Sequence, residues 1–415
     1  MKSRVLYACI ALVISTDCLR ADDYPQWRGP DRTGVSKEKG LLQQWPAEGP
    51  KLAWKATGIG KGYSTPSVAK GQIYVIGSTD GNKTESVFAL NVTDGKPIWS
   101  TNIGKVAPNR KAPYPGTRST PTVDGNRVYA LGSDGDLVCL DTAKGQVIWS
   151  KSLRKDFGGM PGWWEYAESP LIDGDALICS PGGEKATMVA LNKADGKVIW
   201  QCVTPGADMA AYASPMVAEL GGVRQYVQFL DKGLIGVEAK SGKYLWSYAK
   251  TVDAQNMNCA TPIIKDGQVL TATISKGPAL VKLLTEGDKL TAKEVYFTKA
   301  LTNHHGGMVL VGNHVYGTNG SDLVCVEFTT GEVKWQAKAV GKGSVCCADG
   351  CLYVRGEKGG AVALVEATPA AYKEKGRFTP PGSTASNVWP HPVVANGCLY
   401  LRDHDTLFCY DVKAK

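Results

Sequence analysis

Eleven residues of this chain carry side chains suited to a binding or catalytic pocket. Tyr63, Arg118, Trp164, Glu165, Glu168, Tyr212, Asn258, His304, His305, Trp389 and His391 all stand in segments that lead into short apolar runs. The aromatic rings offer stacking surface and Arg118 a fixed cation. Glu168 and Asn258 offer oxygen donors, and the histidines offer proton exchange or metal ligation. His304-His305 invites a metal reading, but neighbours on an extended strand point to opposite faces, so the two rings are expected not to converge on one ion. Cys346-Cys347 is the one unusual cysteine feature. There is no CxxCH haem attachment, zinc-type spacing, G-x-S-x-G elbow or phosphate loop. Residues so far apart can act together only in a fold that returns the chain to one place many times.

The elements that would do so are repeats. Between Ser119 and Trp149, apolar period-2 runs alternate with Asp124-Gly125-Asn126, Ser133-Asp134-Gly135 and Lys144-Gly145. Val, Tyr, Leu and Ile in such runs are strand residues, and the Asp/Gly pairs supply the positive φ of tight turns. The stretch predicts a four-stranded antiparallel meander. A Ser/Thr-Pro step followed by Val or Ile recurs at Pro66/Val68, Pro121/Val123, Pro170/Ile172, Pro215/Val217 and Pro262/Ile264, with His391-Pro392 as an altered copy. A Gly four residues before a Trp recurs at Gly95/Trp99, Gly145/Trp149, Gly196/Trp200, Gly242/Trp246 and Gly331/Trp335. Four-stranded units repeating every ~40–50 residues predict a β-propeller.

Eight blades are expected, starting near Ser64, Ser119, Glu168, Ala213, Ala260, His305, Ser344 and His391. Blades five to seven are degenerate, and blade five lacks the Trp. Blade eight stops after its third strand, and an unpaired edge there would invite aggregation. Leu52-Ala53-Trp54-Lys55 resembles a fourth strand with no blade of its own, so residues 50–56 are expected to pair with 407–412 and close the ring. The fold class is therefore all-β, an eight-bladed propeller of four-stranded antiparallel blades closed by an N-terminal strand. The outer-strand tryptophans read as packing between blades, and the eleven polar and aromatic residues as one rim of the central channel.

Residues 1–21 read as a secretory signal peptide, with Lys2 and Arg4 ahead of an apolar run too short to span a bilayer. Ser15-Thr16-Asp17 is a poor lipobox, which argues against lipid anchoring at Cys18. Residues 22–49 form a leader and 50–415 the propeller. The chain carries 47 Lys+Arg against 39 Asp+Glu, a formal net charge of +8, without a basic block. That scatter excludes a nucleic-acid footprint, and no later stretch is apolar enough to span a membrane. Cys139, Cys325 and Cys409 share one place in the third strand of three repeats and read as small buried hydrophobes. Cys351 and Cys398 follow turn glycines at matching positions, a spacing that does not by itself license a disulfide.

The units Gly71-Gln72-Ile73-Tyr74, Ala89-Leu90-Asn91 and Asp94-Gly95-Lys96-Pro97-Ile98-Trp99 resemble the pyrroloquinoline-quinone (PQQ) enzyme repeat. So do Ala190-Leu191-Asn192 and Asp195-Gly196-Lys197. The likeness runs from about Trp45 to Val412, and the compact length is similar to the BamB-like members of that family. Pro25-Gln26-Trp27-Arg28-Gly29-Pro30 resembles a leader found before such propellers in secreted bacterial proteins. The resemblance implies an exported, non-catalytic binding or scaffolding module, with protein partners in the cell envelope, and no cofactor. Its alternative implication is a PQQ-dependent oxidoreductase using PQQ with Ca²⁺, in which Glu168 and Asn258 would be metal ligands and Arg118 would face a quinone oxygen. That alternative lacks an Asp at the rim to act as base. Cys346-Cys347 is similar in type to a vicinal disulfide of the large quinoproteins but falls in a late blade. A third implication is a small-molecule or glycan binder using the rim residues Tyr63, Arg118, Trp164, Glu168, Tyr212, Asn258, His304, His305, Trp389 and His391.

Overall fold

A computed structural model of the chain describes residues 23–108, 114, 116–287, 289–384 and 386–414. The expected signal segment, with Cys18, lies outside them. The chain forms eight four-stranded antiparallel sheets, seven built from consecutive strands. Blade two follows the repeat closely, with strands Thr122–Asp124, Arg127–Leu131, Asp136–Asp141 and Val147–Ser152. Its turns use Gly125, Gly135 and Gly145 at φ of 57°, 92° and 68°, a region costly for a side chain with a Cβ. In blade eight, Val393–Ala395, Cys398–Asp403 and Thr406–Asp411 are joined by Lys51–Thr57. The pairing runs from Lys51 opposite Asp411 to Thr57 opposite Thr406, so the first strand closes the ring on the last.

The Gly and Trp of the repeat unit serve two different contacts. Trp99 lies on Gly145 of the next blade and donates Nε1–H to Thr142 O at 2.9 Å. Trp54 on Gly95, Trp149 on Gly196 and Trp200 on Gly242 repeat the arrangement, with indole bonds of 3.0–3.1 Å to Val92, Lys193 and Ala239 carbonyls. A flat ring needs a flat neighbour, so the turn it covers is glycine. Blade five, which lacks the Trp, fills the slot with Tyr296, whose ring covers Gly331 and whose hydroxyl reaches Phe328 O at 3.0 Å. An extra residue bulges from the outer strand just before each of Trp54, Trp99, Trp149 and Trp200. Such bulges interrupt the exposed ladder and discourage strand addition from outside.

Apolar clusters fill the wedges between neighbouring blades. Leu131, Leu137 and Cys139 of blade two, for example, meet Leu177, Val189 and Leu191 of blade three. Cys139, Cys325 and Cys409 are at most 1% exposed, as small core residues. Cys346 and Cys347 occupy adjacent places on the strand Gly343–Ala348, so their thiols enter different wedges. Both are free, as are Cys351 and Cys398. No vicinal disulfide forms, and neither thiol reaches the channel rim.

The leader is part of the ring's interior. Tyr24 exchanges backbone hydrogen bonds with Val68 of blade one, and Pro25 O accepts from Val123 N of blade two. Arg32 donates to Ser169 and Pro170 carbonyls of blade three. Trp27 Nε1 donates to Thr261 Oγ1 of blade five at 3.0 Å, Arg28 to Met308 O of blade six, and Ser36 N to Cys347 O of blade seven. One short segment thus crosses the channel and ties six blades together, and Glu38 just beyond it accepts from Asn396 N of blade eight.

Candidate functional site

Because the inner strands converge on the axis, the segments entering them come together beside the leader. They enclose a cavity of about 280 Å³. Eight of the ten residues expected to bind there line it: Tyr63, Arg118, Trp164, Tyr212, His304, His305, Trp389 and His391. Trp27 of the leader also lines it, its ring centroid 4.5 Å from that of His391.

The walls are aromatic and held in place. Tyr63 and Trp389 have centroids 4.4 Å apart, and Tyr114 stands edge-on to Trp389 at 5.0 Å. Arg118 lies 5.2 Å from the Tyr63 ring centroid and 5.4 Å from that of Trp389, within cation–π range. Its guanidinium donates to Gly116 O and Tyr114 O, which fixes its direction. Trp389 Nε1 donates to Glu357 at 2.7 Å, and Lys342 pairs with the same carboxylate at 3.1 Å. Tyr212 OH accepts from Trp164 N at 3.1 Å.

The histidines are neutral at pH 7. Burial, helped by the Lys342 charge, pushes His304 down to about 4, and burial with Arg28 nearby pushes His391 down to about 3. Burial likewise holds His305 well below the ordinary imidazole range. His304 and His305 do converge: their Nδ1 atoms are 3.2 Å apart, with perpendicular rings. The expectation of divergence assumed an extended strand, whereas this pair sits in an irregular connection where side chains need not alternate. His391 Nε2 contacts His305 O at 3.0 Å, which adds a third ring without making a ligand set.

Glu168 and Asn258 are corrections. Glu168 is 2% exposed, accepts from Ser180 N at 2.5 Å and Gln228 Nε2 at 2.9 Å, and does not face the cavity. Burial raises its carboxyl to about 7 against the pull of these bonds and of Arg32. Asn258 is fully buried, donating to Leu230 O and Asp231 O and accepting from Asp253 N. Both turn back into the blades to satisfy backbone groups, which their position in sequence does not reveal. Glu165 pairs with Arg154 outside the funnel. Sequence reasoning passed over Tyr114, Lys342, Glu357, Asn387 and, above all, Trp27. Lys342 lies just ahead of an inner strand, the same signal that marked the others. Trp27 had no signal beyond its place in the leader.

A PQQ–Ca²⁺ site requires several carboxylate or amide oxygens around the ion. Among the described residues no three His, Cys, Asp or Glu side chains cluster to hold a metal. The one carboxylate in the cavity lining, Glu357, is already engaged by Lys342 and Trp389. The residues present do not fit that cofactor pair.

Fold and funnel together define a PQQ-like repeat propeller whose axial cavity is lined in part by its own leader. The chain belongs to the family whose model is described as outer membrane protein assembly factor BamB, matched over residues 29–163 and 83–337. It is 22% identical to the BamB assembly factor of Burkholderia pseudomallei over 66% of this chain and 69% of that one. The crystal structure of BamB from Moraxella catarrhalis superposes with a TM-score of 0.60 at 17% identity, covering 85% of this chain and 95% of that one. Quinohemoprotein alcohol dehydrogenase from Comamonas testosteroni superposes at 0.63 with 13% identity, covering 95% of this chain and 81% of that one. At such identities the likeness to solved structures shows the fold alone. No helix among the described residues is long and apolar enough to cross a membrane.

Proposed function

We propose that this protein is an exported, non-catalytic scaffold that binds protein partners during assembly of envelope proteins, with the funnel as a ligand-holding pocket at its axis. The observation that carries this reading is the family match across residues 29–337. The chemistry of the funnel supports it. Its histidines are neutral, its Glu357 carboxylate is engaged by Lys342 and Trp389, and its Arg118 is held by backbone carbonyls, an arrangement suited to holding a ligand. Proton transfer near neutral pH requires a group that titrates there, and burial removes all three imidazoles from that range.

Deleting the gene and measuring folded β-barrel proteins in the outer membrane tests the reading. The expected result is a fall in their level that is restored by the parent gene. Unchanged levels, together with dye reduction that depends on added PQQ and Ca²⁺, would overturn it in favour of an oxidoreductase.

A further inference from the structure

The funnel holds an unusual cation. Lys342, which also lines it, is paired with Glu357 at 3.1 Å, whereas no carboxylate among the described residues comes within ion-pair distance of Arg118. Arg118 uses two of its five N–H donors on backbone carbonyls and sets its guanidinium over the Tyr63 and Trp389 rings. The buried Glu85 acts on Arg118 only from beyond ion-pair distance, and a cation walled by rings with free donors is a site for an anion, because planar guanidinium donors match a carboxylate in pairs. Asn387 and His305 also line the cavity, with Asn387 Oδ1 and His305 Nε2 turned away from it into the wall. Around these groups stand Tyr63, Trp164 and Trp389, whose faces suit a flat apolar body.

From this arrangement we infer that the funnel binds a small aromatic carboxylate, of the benzoate or indole-acid class. The carboxylate pairs with Arg118, and the ring lies among Tyr63, Trp164 and Trp389. The site needs no metal. A neutral saccharide could use the rings but would leave Arg118 without a counter-ion. This inference deepens the pocket part of the scaffold reading and rests on it.

Calorimetric titration of the full chain with 4-hydroxybenzoate and indole-3-acetate is the test. The matching amides, 4-hydroxybenzamide and indole-3-acetamide, and glucuronate serve as controls. Both acids are expected to bind saturably, and the amides at least about tenfold more weakly, since a charge-assisted bond is lost. Arg118→Met should lose the same factor while keeping the parent's circular dichroism and melting curve. The acid–amide comparison on the parent needs no variant, so a misfolded Arg118→Met leaves the test intact. The inference is overturned by absence of binding at about 1 mM, by equal affinity for acid and amide, or by preference for glucuronate. The titration uses purified protein alone, so its failure is separable from that of the cellular assembly experiment.

Discussion

Adding one methyl group at Gly145 tests how neighbouring blades are locked, and with them the placement of Tyr63 and Arg118. Gly145 has φ of 68°, and an alanine Cβ there would fall 2.4 Å from Trp99 Cε3 and 2.7 Å from Thr101 Oγ1. Gly125, at φ 57° in the same blade, has nothing within 4 Å of that point. Gly125→Ala should therefore cost only the left-handed backbone term, about 1–2 kcal/mol. Gly145→Ala adds overpacking against a ring held by its bond to Thr142 O, a further ~1–3 kcal/mol, for a total of about 2–5 kcal/mol. Trp99→Ala vacates most of the same space, so in the double variant the methyl meets no ring and only its contact with Thr101 Oγ1 remains of the overpacking. Equilibrium denaturant unfolding followed by circular dichroism on the two glycine variants, Trp99→Ala and the Gly145/Trp99 double variant should give a coupling of about 1–3 kcal/mol. Additivity within about 0.5 kcal/mol, or equal costs at the two glycines, would refute the ring-on-glycine lock.

Removing residues up to Lys55 should strip the closing strand from Thr406–Asp411 and withdraw the leader from seven blades, giving an aggregating protein on size-exclusion chromatography; a monomer as heat-stable as the parent would sink the closure account. Cys139, Cys325 and Cys409 should resist thiol reagents until the protein is denatured, because burial raises the Cys139 and Cys325 thiols to about 11 and all three are enclosed; rapid labelling of the folded protein would contradict this. Stability should also depend on Glu168 in a definite sense. Its folded carboxyl, raised to about 7 from 4.5, keeps a proton that the unfolded chain releases, so its contribution is present below 4.5 and lost as pH rises through 7. Relative to the parent, Glu168→Gln should become more stable as pH rises from 4.5 to 8 in chemical unfolding; a pH-independent difference would remove the argument.

The sequence alone determined the ring. Strand period, turn glycines and the recurring Gly–Trp spacing are local signals, and repetition over eight units made each copy support the others. The unfilled fourth place in blade eight and the orphan strand around Trp54 even declared how the ring closes, since an open edge has only one partner in register. The rim was legible as a set of segments, because any segment entering an inner strand must approach the axis. What the tertiary structure decided was the direction of each side chain. Glu168 and Asn258 occupy rim segments yet turn inward, because buried backbone groups of blades three and four needed partners that only packing could bring near. His304 and His305 converge because their segment is not a strand. Trp27 entered the funnel through contacts with Thr261 and His391, far away in sequence. Propeller geometry is written in short-range periodicity, whereas a pocket at its axis is assembled from long-range contacts, and these depend on which hydrogen bonds remain unsatisfied once the ring has closed.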